Sequence, residues 1–199
     1  MAKAKPAKKP TAATGQIRLI GGQWRGRKLP VLHSEGLRPT TDRIKETLFN
    51  WLMFEIRGSR CLDLFAGSGS LGFEALSRHA AEVVMVEKDT TVAAQLKRNL
   101  ASLPAAPGTV IQADAVQYLQ QAATPFDVVF LDPPFHKELL PQVCERLEQN
   151  GWLAENALIY IEREQGLALP TLPDHWSLHK DKQAGQVSYQ LYQREQVKT

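Results

Sequence analysis

The stretch Cys61-Leu62-Asp63-Leu64-Phe65-Ala66-Gly67-Ser68-Gly69-Ser70-Leu71-Gly72 constrains this chain more than any other. Its first half is a short apolar run, the pattern of a strand buried on both faces of a parallel sheet. Its second half spaces three glycines where the chain must turn sharply into a helix over about 70–80. With no Cβ in the way, Gly67, Gly69 and Gly72 are expected to let the backbone lie close to a ligand. The helix after them aims its first N–H groups at whatever sits on the loop. A nucleotide-type cofactor loop is the expectation. The spacing Gly67-x-Gly69-x-x-Gly72 also matches the dinucleotide fingerprint, and Glu87 follows about 20 residues later, where a ribose-binding acid belongs. On this stretch alone an NAD-type cofactor, another nucleotide cofactor and a turn that binds nothing all stay open.

A second stretch narrows the choice. Phe130-Leu131-Asp132-Pro133-Pro134-Phe135 closes another apolar strand, 127–131, and Asp-Pro-Pro-Phe is not a dehydrogenase feature. No proton-transfer residue or second domain for hydride chemistry accompanies it.

The chain has 199 residues, enough for one ordinary domain with its own core plus an appendage. A hydrophobic fraction of 43% against 23% charged is that of a globular chain and leaves out a fibrous or disordered one. No apolar run approaches the roughly 18 residues of a membrane helix, and residues 1–14 have lysines without the apolar segment of a signal peptide. A cytoplasmic protein with no membrane partner is expected. Cys61 and Cys144 are isolated and lack metal-ligand spacing, so both are expected to stay reduced, and no metal is expected.

The net charge of +3 hides an asymmetry. Residues 1–60 hold 13 Lys/Arg against 4 Asp/Glu, a balance of +9, while the rest of the chain stands at −6. A basic N-terminal third on an acidic body points to a polyanion docked by that third. A solvated leader accounts for only part of it, because without Lys3, Lys5, Lys8 and Lys9 the segment is still +5.

Three regions are expected: a disordered basic leader over 1–15, a hairpin and helix over 16–58, and the catalytic domain over 59–199. The hairpin pairs 16–20 with 27–31 across Gly21-Gly22-Gln23-Trp24-Arg25-Gly26. It presents Arg18, Arg25, Arg27 and Lys28 around Trp24, a set suited to RNA through phosphate contact and stacking. Trp24 as plain hairpin packing is equally open. A helix to about Phe54 follows Arg38-Pro39-Thr40-Thr41-Asp42-Arg43, with Ile44, Leu48, Trp51 and Leu52 on one face. From Arg60 onward strands and helices alternate as in a doubly wound sheet. Strands are predicted over 61–65, 82–87, 109–112, 127–131, 157–162, 177–180 and 186–193, and helices over 70–80, 90–103 and 137–148.

These residues together resemble the S-adenosylmethionine-dependent class I methyltransferases. In detail they are similar to the small-subunit ribosomal RNA guanine-N2-methyltransferases of the RsmD type. The likeness spans residues 16–195. It rests on Asp63 through Gly72, Glu87, Asp114 and Asp132 through Phe135, and more specifically on Arg18-Leu-Ile-Gly-Gly-Gln-Trp-Arg-Gly-Arg, Arg38 through Arg43, and Ala184-Gly-Gln-Val-Ser-Tyr-Gln-Leu-Tyr. It implies a Rossmann-like seven-stranded α/β sheet with a small N-terminal hairpin and helix. S-adenosyl-L-methionine is the implied cofactor. The implied partner is 16S rRNA, or a small-subunit assembly particle, met by a monomer. Adenine-N6 methylation of DNA or RNA is the alternative, since its amine chemistry is the same, and a silent RNA-binding module is the non-enzymatic one.

The resemblance also distributes roles. Glu87 takes the ribose hydroxyls, since a carboxylate accepts two hydrogen bonds at once. Asp114 accepts from the adenine amine while the Ala115 N–H reaches the ring; alternatively Asp114 only caps the next helix. Phe65, Ala66, Gly67 and Gly69 lie along the methionine part of the cofactor, with Asp63 near that end. Thr41 and Arg43 suit its carboxylate. Asp132 and the Pro133 carbonyl accept the two hydrogens of a planar exocyclic amine, whose delocalised lone pair makes it a poor nucleophile until the nitrogen is pyramidal. Pro133 and Pro134 fix the turn, each having a locked φ and no N–H to satisfy, and Phe135 stacks on the extruded base. His33, His79, His136, His175 and His179 are scattered without ligand spacing and read as structural or surface residues.

Overall fold

The computed structural model describes residues 15–32, 41–134, 139–167 and 170–195. The chain runs β1 (Gly15–Arg18), β2 (Lys28–Val31), α1 (Asp42–Trp51), β3 (Arg60–Asp63), α2 (Ser70–Ser77), β4 (Glu82–Glu87), α3 (Thr90–Ala101) and β5 (Gly108–Gln112). It continues through α4 (Ala115–Tyr118), β6 (Phe126–Leu131), α5 (Leu140–Gln149), β7 (Leu153–Glu164), β8 (Trp176–Ala184) and β9 (Val187–Arg194). Seven strands form one sheet in the order β5-β4-β3-β6-β7-β9-β8. Pairings from β5 through β7 are parallel, and β9 is antiparallel to both β7 and β8. The chain enters at β3, builds β4 and β5 to one side, then crosses to β6 and β7 on the other. That reversal opens a crevice at the carboxyl ends of the central strands.

Alternation along the strands sorts their side chains into two cores. Cys61, Val83, Met85, Val128, Phe130 and Tyr160 pack with α1, α2 and α3 on one face. Leu62, Val84, Val86, Val129, Leu131, Ile159 and Ile161 pack with α4 and α5 on the other. Burial on both faces is why these strands read as continuous apolar runs.

The β1–β2 hairpin is antiparallel, with Ile17 opposite Leu29. Ile17, Leu19 and Leu29 share the first core with Ile44, Leu48 and Phe49 of α1, so the segment 16–58 has no core of its own. Its tip closes the C-terminal end of α2: Gln23 N–H donates to the Ser77 carbonyl at 2.8 Å, and Trp24 N–H to Ser77 Oγ at 3.1 Å. The Ser77 hydroxyl donates to the Gly21 carbonyl at 2.6 Å. A buried ionic cluster finishes the joint. Lys45 Nζ donates to the Arg18 carbonyl at 2.5 Å and stands 3.8 Å from Glu74, which accepts from Ile20 N–H and from Arg78. Every polar end in that cluster has a partner, which is the condition for burying such charges.

Several boundaries differ from the sequence reading. The helix expected over 70–80 ends at Ser77, and the one expected from 137 begins at Leu140 with Pro141 in its first turn. Strands β7 and β8 are longer than predicted, because β8 pairs with β9 as far as Ala184 opposite Val187. The polar run His179-Lys180-Asp181-Lys182 conceals the extension of that strand past 180, since β8 is the sheet edge and its charges face water. No described helix is long and apolar enough to cross a membrane.

Candidate functional site

The crevice holds a cavity of about 930 Å³ at the carboxyl ends of β3, β4, β6 and β7. Of the residues singled out for a cofactor, Thr41, Asp63, Phe65, Ala66, Gly67, Glu87, Asp114 and Ala115 line it. Asp132, Pro133 and Pro134 line the same space. Two expected residues do not: Arg43 is exposed on α1, and Gly69 faces the core. Phe135, the segment Arg38–Thr40, and the neighbours His33, His136 and Lys137 lie outside the described residues.

The glycines answer a different demand from the one expected. Gly69, at φ +76°, begins α2 in the left-handed region, and a Cβ there would sit 2.5 Å from Phe73 and 2.7 Å from Leu96. A Cβ on Gly72 would meet Met85 at 2.7 Å. Both glycines therefore serve close packing of the loop and α2 on the sheet, and only Gly67 reaches the cavity.

On the β4 side, the loop and the acid form one unit. Glu87 accepts from Gly67 N–H at 2.9 Å through one oxygen and from Asp89 N–H at 2.7 Å through the other. Each oxygen keeps a second lone pair for a ligand hydroxyl. Asp114 caps α4 through Val116 N–H at 2.9 Å and meets Lys88 Nζ at 2.9 Å. The Lys88 ammonium, with the cap bonds, holds the Asp114 carboxyl below its ordinary range. Capping, one of the two readings open for Asp114, is thus present in the structure, and the residue still borders the cavity. Ser70 is 4% exposed, lines the cavity, and its hydroxyl has no partner among the described residues. An orphaned buried hydroxyl of this kind fits a site completed by a ligand.

On the β6 side, three acids converge. Asp63 ends β3, Asp132 follows β6, and Glu162 lies near the end of β7; alternation places all three on the α1/α2 face of the sheet. Asp63 is buried, accepts from Gly72 N–H at 3.0 Å, and is pushed up to about 7, chiefly by burial and then by the charge of Glu87. Burial, then Glu162 and Asp63, raise Asp132 well above the ordinary carboxylate range. Glu162 is raised by burial, partly offset by the Tyr160 hydroxyl, which donates to it at 2.9 Å. None of the three meets a cation among the described residues, and burial disfavours the charged form of each. Glu162 was missed in the sequence; it ends an apolar strand as Glu87 does, and that parallel was the available signal. No group of acids, histidines or cysteines among the described residues could hold a metal ion.

The hairpin's basic residues separate into two kinds. Arg18 pairs with Asp42 at 2.7 Å, and Arg27 donates to the Ser102 carbonyl at 2.6 Å. The side chains of Arg25 and Lys28 are exposed and make no hydrogen bond or ion pair among the described residues. Trp24 is half-buried against the first core, so much of its ring is committed to packing.

Comparison with known proteins is consistent along nearly the whole chain. The family described as Conserved hypothetical protein 95 matches residues 17–193. Ribosomal RNA small subunit methyltransferase D of Escherichia coli (strain K12) is 58% identical over 189 residues, covering 94% of this chain and 96% of that protein. The protein of the same name from Haemophilus influenzae is 57% identical over 185 residues, covering 91% and 95%. The solved structure of yhhF, described as a methyltransferase from Escherichia coli, matches with a TM-score of 0.86 at 56% identity, covering 91% of this chain and 99% of that one.

Proposed function

The chain belongs to the Conserved hypothetical protein 95 family, together with the ribosomal RNA small subunit methyltransferase D proteins, and from that premise we propose that it methylates the N2 amine of one guanine in 16S rRNA. It is a methyltransferase. S-adenosyl-L-methionine, when bound, supplies an electrophilic methyl group on a cationic sulfonium. The observation that carries the reading is that one cavity joins Glu87, Gly67 and Ser70 on the β4 side to Asp132 and Pro133 on the β6 side.

In this reading Glu87, held by Gly67 and Asp89, takes the ribose hydroxyls, and Asp114 and Ala115 border the adenine. Asp63 and the loop from Phe65 to Gly67 lie along the methionine part, with Thr41 at its rim. Asp132 and the Pro133 carbonyl accept the two amine hydrogens and favour a pyramidal nitrogen. Pro134 keeps the turn open toward solvent, and Phe135 stacks on the base. The acids act by position and electrostatics, without taking part in covalent chemistry. Arg25 and Lys28 of the hairpin dock the RNA, and the protein acts as a cytoplasmic monomer on 16S rRNA or a small-subunit assembly particle. Adenine-N6 transfer is not favoured by the relatives.

The test is mass mapping of small-subunit rRNA from cells lacking the protein. Loss of one N2-methylguanine, restored by the parent gene and not by an Asp132→Ala copy, is expected. An unchanged guanine-methylation map would refute the assignment.

A further inference from the structure

We propose that Glu162 reads the N1–H of the target base and thereby selects guanine among bases that carry an exocyclic amine. The inference deepens the function proposed above and rests on it. Strand pairing is the starting point. β6 and β7 are parallel with Leu131 opposite Ile161, so the next step along each strand sets Asp132 beside Glu162. Both carboxylates border the cavity, and both belong to the sheet face that carries Phe130 and Tyr160. Tyr160 is fully buried and its hydroxyl donates to Glu162 Oε2 at 2.9 Å. No other described residue hydrogen-bonds the Glu162 carboxylate, so its second oxygen has no donor among the described residues.

The chemistry of base edges then decides. Guanine presents its N2 amine next to N1–H, two donors side by side. Adenine and cytosine present their amines next to a ring nitrogen that carries a lone pair. Two adjacent carboxylates match donor beside donor. Against adenine or cytosine the second carboxylate would face a lone pair, and a polar group left unpaired in a buried site discriminates strongly. Burial and mutual proximity disfavour ionisation of the pair, and two adjacent N–H donors favour the ionised, accepting form. Asp132 alone accounts for holding an amine; it does not distinguish one amine-bearing base from another.

The experiment uses the full chain saturated with S-adenosylhomocysteine and titrated with guanosine, adenosine and 2-aminopurine riboside. The last has the same 2-amino group but a lone pair at N1. The parent is expected to bind guanosine at least about tenfold tighter than 2-aminopurine riboside. In Glu162→Gln the amide N–H can donate to that lone pair, so the preference should shrink to about threefold or less. Glu162→Ala removes the acceptor without supplying a donor and should give an intermediate preference; it decides the matter if Glu162→Gln does not fold. S-adenosylhomocysteine affinity should stay the same in both variants. A guanosine preference equal to the parent's in the folded variants would overturn the role of Glu162 while leaving the guanine reading intact. If the parent itself binds adenosine tighter than guanosine, the guanine reading fails, and this inference fails with it.

Discussion

Asp63 carries a buried carboxyl group at the cavity wall, with the Gly72 N–H as its hydrogen-bond partner. Its folded pKa of about 7 lies above the ordinary 3.8, mainly because burial disfavours the charged form. The sign follows from linkage. An acid raised on folding is protonated in the folded chain and ionised in the unfolded chain between the two values, so stability falls as pH rises through that window. Asn at this position keeps an acceptor for Gly72 and removes the ionisation. Asp63→Asn should therefore gain stability over the parent as pH rises from 4 to 8, by on the order of 2–4 kcal/mol at the upper end. Chemical denaturation at several pH values measures it, and a difference independent of pH would contradict the buried, raised acid. Legibility was uneven at this scale. Asp63 leads into a Gly-rich loop, Asp132 stands before two prolines, and Glu87 follows that loop by about 20 residues, so each carries a sequence signal of chemistry. Glu162 sits at the end of a strand with no such punctuation. Gly69 and Gly72 were visible as glycines, but their reason was not, because Phe73, Leu96 and Met85 reach them only after α2 folds onto the sheet.

At the scale of elements, the hairpin is anchored by backbone rather than by charge. Gly22 adopts φ +75°, and a Cβ there would stand 1.8 Å from the Ser77 carbonyl oxygen. Gly26, at φ +85°, has nothing within 4 Å of such a Cβ. Gly26→Ala should therefore cost only its left-handed backbone, about 1–2 kcal/mol. Gly22→Ala adds a backbone clash that forces the hairpin off α2 and should cost more, on the order of 3 kcal/mol or above. Thermal melts compare the two directly; equal losses would show that the tip does not seat on Ser77. The hairpin and the helix after Thr41 were legible from turn glycines and an apolar face. Their fusion with the main core was not, because the buried Lys45–Glu74 contact joins residues 29 apart in sequence. The far part of the edge strand β8, beyond the predicted 177–180, escaped for the opposite reason: its lysine faces solvent, and no periodicity marks it.

For the molecule as a whole, the function proposed above divides the work: the basic N-terminal third holds RNA and the acid-lined cavity reacts with it. Arg18 and Arg27 are engaged within the protein, so Arg25 and Lys28 are the hairpin charges free for phosphate. Replacing both with Ala should weaken binding to 16S rRNA fragments. It should also reduce the slope of log affinity against log salt by about 1–2, because each phosphate contact releases counterions. Affinity for S-adenosylmethionine should not move, since neither residue borders the cavity. An unchanged salt slope would leave these charges as solvated surface.

The central claim is that the acids converging on this cavity orient a guanine amine for methyl transfer. Its most direct measurement incubates the purified protein with labelled S-adenosylmethionine and small-subunit rRNA, free or assembled, from cells lacking the activity, then identifies the methylated nucleoside by mass spectrometry. N2-methylguanosine is expected, and Asp132→Ala should lower the rate by about 10²–10³-fold while retaining cofactor affinity, as for loss of one preorganised polar partner. N6-methyladenosine as the product, or near-parental turnover by Asp132→Ala, would contradict the account.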